Sequence, residues 1–371
     1  MTKRAPFALE RWLALHEPNA THHLAGIGLA PLSLGDLSEF GIRLPAELTL
    51  GYLPSNGLGE LREAIAGIYE HQTPDRVLVT TGGIEALNVA LDALALPGKK
   101  AIVMTPGYQG LSEPLRERGM QILPWRLSFE QGWEPDFTEF EQLLAEKPAL
   151  VVLNSPHNPT GFCFSSDQLR EVVEKAEAAG ATVVADEVYR GLGTTLSVAD
   201  FSEKAVAIGS LSKLYGLPGL RIGWIVGAPS VLERAWGAKD YHTLSNNTLG
   251  EWLAVEVLRR HDEFLSRAEK LAKENWGILE RFLEKHRDCF EWVPPRSGLS
   301  VFPRLKHGTS DAFCAALMEA GLLVLPGTVY EEPFHLRFGF GSPSPEGLEA
   351  LSTLITEKKS SFLHPEREGR G

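Results

Sequence analysis

Four stretches of the chain hold residue types that could do chemistry. The first is V-T-T-G-G-I-E-A-L, Val79 to Leu87. Gly82-Gly83 at a strand-to-helix junction lets backbone N–H groups approach an anion at the start of the helix. The second is N-S-P-H-N-P-T-G, Asn154 to Gly161, a polar loop with two prolines after an apolar run. The third is A-D-E-V-Y, Ala185 to Tyr189. A carboxylate at the end of a buried strand is costly unless it meets a cation, and Tyr189, three residues beyond Asp186, can share its pocket. The fourth is S-L-S-K-L-Y-G-L-P-G-L-R-I-G-W, Ser210 to Trp224, with Lys213 in a Ser-rich turn and Arg221 eight residues later. Lysine normally avoids the interior. Where it is buried, its ammonium pKa falls and it becomes a usable amine nucleophile. Each stretch alone has a plainer reading as a turn, a helix-capping Asp beside a packed Tyr, or a surface lysine.

The elements that must position these residues alternate between strand and helix. Val77 to Thr80, Ala101 to Met104, Gln121 to Trp125, Leu150 to Leu153, Thr182 to Ala185, Ala205 to Ile208 and Ile222 to Val226 read as strands. Several are apolar throughout, the pattern of strands buried on both faces in a mostly parallel sheet wrapped by helices. The chemical stretches then fall at the carboxyl ends of strands, where open α/β sheets bind ligands. Leu87, Ala90, Leu91 and Leu94 give one amphipathic helix. Ser165-Ser166-Asp167 caps another, whose apolar face is Leu169, Val172, Val173 and Ala176.

Phe7 to Leu15 reads as a short amphipathic helix, Gly26 to Gly35 as a covered loop or short strand, and 246–287 as long helical material. Beyond that, short strands (Leu299 to Phe302, Leu322 to Leu325, His335 to Phe338) mix with helices near 310–320 and 345–357, and the tail from Lys358 reads as frayed. The expected division is an N-terminal arm over 1–45 packed with the small domain, a large α/β domain over 46–260, and a smaller α+β domain over 261–371.

Composition bounds the function. The length of 371 residues suits two domains, and a net charge of −12 argues against nucleic acid as a partner. Three scattered cysteines, Cys163, Cys289 and Cys314, fit a reducing compartment, and Cys163 reads as a buried structural thiol. No stretch is apolar enough to span a bilayer and the N-terminus carries no apolar signal core, so the expected location is the cytoplasm. His22-His23 lacks a third ligand at sensible spacing and reads as a surface or hinge pair, so no metal is expected.

In order and spacing together, the four stretches resemble the fold-type I aminotransferases of class I/II, from about Tyr52 to Arg337. The resemblance implies pyridoxal 5′-phosphate (PLP) as cofactor, held by Lys213 as a Schiff base, with Lys213 also moving the proton at the substrate Cα. It implies that Asp186 pairs with the pyridine nitrogen and that Tyr189 and Asn158 donate to the ring O3′. Arg221 and Ser210 match phosphate ligands, the backbone of Gly82, Gly83 and Ile84 matches the phosphate cup, and Ser212 is a further hydroxyl beside the lysine. Tyr108 matches the ring that stacks on the pyridine. Arg337, in H-L-R-F-G-F, matches the reader of the substrate α-carboxylate, whose planar fork suits a carboxylate. Tyr52 matches a tyrosine that reaches the phosphate of a neighbouring subunit, which implies a homodimer with a shared site.

The implied activity is transfer of an amino group between an α-amino acid and a 2-oxo acid, with a PLP-dependent lyase, cyclase or racemase as the alternative. Two departures bear on this. Where the family often carries a Gly-x-Pro carboxylate loop, the chain reads A-G-I-G-L-A-P-L-S-L-G, Ala25 to Gly35, leaving Gly28 as the candidate substrate contact. Lys239 to Ser245 and Pro294 to Arg304 are similar to a branch that includes capreomycidine synthase, an eliminating and cyclising enzyme. Trp12, Tyr108 and residues 20–35 are the expected pocket walls.

Overall fold

The computed structural model describes residues 5–193 and 196–357. The apolar runs form one seven-stranded sheet: β1 (Val77–Thr80), β2 (Lys100–Thr105), β3 (Gln121–Arg126), β4 (Leu150–Asn154), β5 (Thr182–Asp186), β6 (Val206–Ser210) and β7 (Gly223–Val226). Their order is β1-β7-β6-β5-β4-β2-β3. All neighbours run parallel except β7, which is antiparallel to β1 and β6. Alternate residues feed opposite faces. Val79, Ile102, Val151, Leu153, Val183 and Ala207 pack into one core. Leu78, Ala101, Val103, Val152, Val184 and Ile208 pack into the other. Two buried faces explain why the strands are apolar without alternation.

The helices Gly83–Leu94 and Pro229–Lys239 cover one face. On the other, Ser166–Ala178 starts at a capping box, with the Ser165 hydroxyl accepting the Gln168 N–H at 3.2 Å, and buries the expected Leu169, Val172, Val173 and Ala176. The long helical stretch is two helices, Thr248–Leu258 and His261–Lys285. Arg260 leaves helical geometry between them, and Asp262 and Glu263 suit the positive start of the second helix.

The N-terminal helix spans Ala8–His16. The following arm is irregular up to a second capping box, Ser33 with Asp36, which starts the helix Leu34–Glu39. That helix falls at the end of the stretch expected to be a loop. His22–His23 is not a free hinge pair. It is a short strand parallel to Leu322–Leu323, so its partner lies far along the chain and could not be read locally. Of the expected C-terminal strands, Leu299 to Phe302 shortens to Ser300–Val301, Leu322 to Leu325 divides into Leu322–Leu323 and Leu325–Pro326, and His335 to Phe338 shifts by one residue to Leu336–Gly339; Ser300–Val301 pairs with Leu336–Gly339, which pairs with Leu325–Pro326, all antiparallel. The helix Pro345–Glu357 closes the described chain, and the tail from Lys358 lies outside the described residues. Cys163, Cys289 and Cys314 are buried and free. Among the described residues no helix is long and apolar enough to cross a membrane, and no group of three or more His, Cys, Asp or Glu could hold a metal ion.

Candidate active site

The carboxyl ends of β4, β5 and β6 open on a cavity of about 690 Å³, within the range of small-molecule sites. Its lining includes Gly28, Gly83, Ile84, Tyr108, Asn158, Asp186, Tyr189, Ser210, Ser212, Lys213, Arg221 and Arg337. Residues that local sequence placed on separate elements are therefore in one place.

Lys213 follows β6 in a turn tied down by neighbouring backbone, its own carbonyl accepting the Leu29 N–H at 3.1 Å. A Cβ on Gly28 would sit 3.3 Å from the Ser212 carbonyl oxygen, tighter than an ordinary contact, so Gly28 eases the close approach of the arm to the backbone beside Lys213. Burial, and then the positive charge of Arg337, lower the Lys213 ammonium below the ordinary lysine value. Asp186 ends β5, and among the described residues its carboxylate accepts only the Val188 N–H, at 3.2 Å. Burial pushes this carboxyl up to about 6, against the pull of that N–H and of Lys213. Tyr189 is buried, its hydroxyl has no hydrogen-bond partner among the described residues, and burial drives its pKa well above the ordinary value.

The anion end is built from backbone and short side chains. Gly82 has φ of +80°, and a Cβ there would run into the Arg221 guanidinium. Gly83 then opens the helix Gly83–Leu94, so its N–H points outward from a helix start. Arg221 takes the left-handed conformation at φ +53° and donates to Pro218 O at 2.9 Å and Ser212 Oγ at 3.4 Å. Ser210 Oγ donates to Ser212 Oγ at 2.9 Å. This cradle of N–H, hydroxyl and guanidinium groups suits a phosphate.

At the opposite end Arg337 is almost fully buried. It donates to Tyr330 Oη at 2.7 Å, Asn158 Oδ1 at 3.2 Å and Ala25 O at 2.9 Å, while its Nε has no partner among the described residues. Tyr330 also donates to Asn158 Oδ1 at 3.0 Å, so the amide oxygen is used and the amide nitrogen is left for the cavity. Asn154, which ends β4, accepts the Asn158 N–H at 2.7 Å and donates to Asp186 O at 3.0 Å. Sequence reasoning missed Asn154 and Tyr330. Asn154 had a signal, as a polar residue ending an apolar strand; Tyr330 had none, because its partners are distant in sequence.

Two expected positions stand apart. Tyr52 is 91% exposed and does not line the cavity. Trp12 is not a wall either: its ring lies tilted against that of His16, centroids 3.9 Å apart, and Leu9, Glu10 and Leu13 of the same helix line the cavity instead. His23, Gly26, Ile27 and Leu29 line it as expected for the 20–35 stretch. Cys163 is buried beside Ser155, as a structural thiol would be.

The donor set fits PLP. An amine without a hydrogen bond, a buried carboxylate with one N–H, an unpartnered phenol and an anion cradle occur together, and PLP has a group for each. Residues 43–355 match the family model described as aminotransferase class I and II. Capreomycidine synthase of Streptomyces vinaceus is 30% identical over 374 residues, 98% of this chain and 96% of that protein. A PLP-dependent aminotransferase from Streptococcus suis 89-1591 superposes with a TM-score of 0.91 at 28% identity, covering 96% of this chain and 99% of that one. The PLP-dependent cyclase OrfR superposes with a TM-score of 0.85 at 30% identity, also covering 96% and 99%. The chain therefore belongs to the aminotransferase class I and II family and is a PLP-dependent enzyme.

Proposed function

We propose that the enzyme moves an amino group between an α-amino acid and a 2-oxo acid, with Lys213 carrying the cofactor and shuttling the proton. The observation that carries this reading is the cavity in which a half-buried, unpaired Lys213 faces Asp186 at one end and Arg337 at another. When bound, PLP supplies an aldehyde that condenses with amines and a ring that accepts an electron pair. Asp186 holds the ring nitrogen in its protonated state. Tyr189 and the Asn158 amide donate to the ring oxygen. Arg221, Ser210, Ser212 and the N–H groups of Gly83 and Ile84 bind the phosphate, Gly82 shapes the turn with its own N–H given to Thr80 O, and Tyr108 covers the ring. Arg337 binds the substrate α-carboxylate, with Asn158 and Gly28 beside it. Lys213, whose ammonium is made easier to deprotonate by burial and by Arg337, acts first as nucleophile and then as base at the substrate Cα.

The reading includes a homodimer. Leu50, Tyr52, Tyr241, Leu244 and Leu249 are exposed apolar side chains. The segments carrying them are tied together by Thr248 Oγ1 donating to Gly51 O at 2.7 Å and Lys239 Nζ donating to Leu244 O at 2.9 Å. An apolar face of this kind suits a second copy, and Tyr52 on it would extend to the partner's phosphate cradle. The division at 45 and 260 is carried over as part of this reading, and free buried thiols favour the cytoplasm.

A second reading keeps every role but lets the proton movement end in elimination and ring closure. The end-to-end likeness to capreomycidine synthase and to the cyclase favours it. One experiment separates the two. In a transaminase, an amino acid added to the holoenzyme without an oxo acid bleaches the visible cofactor band, and a 2-oxo acid restores it. A band that persists while ammonia, water or a cyclised product accumulates points to the second reading.

A further inference from the structure

The phosphate cradle has two walls. One is the turn over residues 81–83 that opens the helix Gly83–Leu94; the other is the turn Pro218–Leu220 that leads into Arg221. Resting on the reading of this end of the cavity as the phosphate site, the residues behind both walls acquire a role. They come from one segment, 243–251, which lies outside the cavity lining.

Glu251 is fully buried, and both its oxygens face donors: Oε2 accepts the Leu58 N–H at 2.7 Å and Oε1 accepts the Asn246 amide at 2.8 Å. Burial raises this carboxyl, and the Leu58 N–H, Asn246 and the charge of the buried Lys239 oppose the rise. An ionised carboxylate only accepts, so the Asn246 nitrogen faces Glu251 and its oxygen is turned the other way. There it accepts the Thr81 hydroxyl at 3.0 Å, one residue before Gly82. The Thr81 N–H goes to Glu85 Oε2 at 2.6 Å, and the Thr243 hydroxyl donates to Glu85 Oε1 at 2.7 Å. A carboxylate in a first helical turn would compete with a phosphate for the same N–H groups; both oxygens of Glu85 are engaged outside the cavity.

The next residue holds the other wall. Asn247 Nδ2 donates to Leu220 O at 3.0 Å, one residue before Arg221, while its Oδ1 accepts the Gly250 N–H at 2.6 Å and caps the helix Thr248–Leu258. A Cβ on Gly250 would lie 2.7 Å from Leu220 O, so this helix start and the turn are in close contact. Two adjacent asparagines thus hold the two walls from one helix start. Donors bind an anion tightly when they converge on it before it arrives. We propose that Asn246 and Asn247, anchored by Glu251, are positioning residues that set the spacing of the cradle and so its affinity for the cofactor's phosphate group.

The test compares PLP with pyridoxal, which lacks the phosphate, in equilibrium titrations of the cofactor-free protein followed by cofactor absorbance. Wild type should bind PLP at least about a hundredfold tighter, as expected of several charge-assisted hydrogen bonds. Asn246→Ala and Asn247→Ala should each weaken PLP by about tenfold and pyridoxal by less than about threefold. Thr81→Val removes the Asn246 hydrogen bond without deleting a buried amide and should match Asn246→Ala. Thr81→Ser should keep the wild-type ratio, and Thr81→Val combined with Asn246→Ala should lose no more than either alone. A PLP-to-pyridoxal ratio unmoved in any of Asn246→Ala, Asn247→Ala and Thr81→Val overturns the proposal. An equal loss for both ligands does so too, because that is the mark of a merely structural role. A wild type that binds the two ligands equally overturns the phosphate assignment itself, and this inference with it.

Discussion

Asp186 and Glu187 are adjacent, buried and both shifted upward in pKa, yet they sit in opposite kinds of environment. Glu187 points into the fold, where its carboxylate accepts the Val198 N–H at 2.8 Å and faces Arg190 at 3.5 Å. Arg190 in turn donates to Ile68 O at 3.0 Å and lies over the Tyr69 ring at 4.0 Å, and Tyr69 accepts the Trp224 indole N–H at 2.8 Å. Burial raises Glu187 to about 7 with Arg190 pulling it back. Asp186 points to the cavity and has one N–H and the field of Lys213. Glu187 is paired from within the chain by the Val198 N–H and the Arg190 charge, although its Oε2 makes no hydrogen bond among the described residues; the cavity region keeps its groups for a ligand. A buried polar group without a partner costs stability, so the cavity is held in a state that a ligand improves.

The largest way to break the comparison is Lys213→Ala. If the unmatched amine is the reacting group, turnover falls by at least about 10⁴-fold, and the visible band of the covalently held cofactor disappears. Phosphate anchoring through Arg221 still permits weak binding of free cofactor. Borohydride reduction followed by peptide mapping checks the assignment directly: label on any lysine other than Lys213 refutes it.

The two carboxylates sharpen the comparison next, in urea unfolding of the cofactor-free protein. Glu187→Ala removes the carboxylate facing Arg190 and takes the acceptor from the buried Val198 N–H, and should cost about 3 kcal/mol. Asp186→Asn should go the other way, stabilising the cofactor-free protein by about 1–3 kcal/mol at pH 7 while removing turnover. The sign follows from the direction of the shift. The folded-state pKa of Asp186, about 6, lies above the ordinary aspartate value of 3.8. Its contribution is therefore intact below about pH 4 and is lost as pH rises through about 6. The gap between wild type and Asp186→Asn must close on acidification, and a gap constant from pH 7 to pH 4 would contradict the burial of this carboxylate in solution.

This contrast also explains what the sequence could and could not reveal. The sheet was legible because burial on both faces leaves apolar runs without alternation, and each chemical stretch sits where such a run ends. Lys213, Asp186, Asn158 and Arg221 could be picked out because their spacing along the chain is itself the pattern. Partner choice was not legible. Glu10 meets Tyr108, Tyr330 meets Asn158 and Arg337 meets Ala25, across 98, 172 and 312 residues respectively. No local period encodes those pairs; they follow from how the arm and the C-terminal strands lie over the sheet edge. The same cause hid the strand pairing of His22–His23 with Leu322–Leu323.

The smallest expected effect tests the one place where the cavity region borrows the inner region's strategy. Tyr330 is buried, and its hydroxyl bridges Arg337 and Asn158, fixing the guanidinium and turning the Asn158 amide nitrogen toward the cavity. Tyr330→Phe keeps the ring and its edge contact with Phe302 but removes the bridge. Arg337 keeps Asn158 and Ala25, so the loss is partial: about tenfold in KM for the amino acid, with kcat changed by less. The thermal midpoint should move little, because no volume is lost. A purely structural role would instead lower the midpoint and leave KM alone. That outcome would place Tyr330 with the matched interior and restrict the substrate end of the cavity to Arg337 and Asn158.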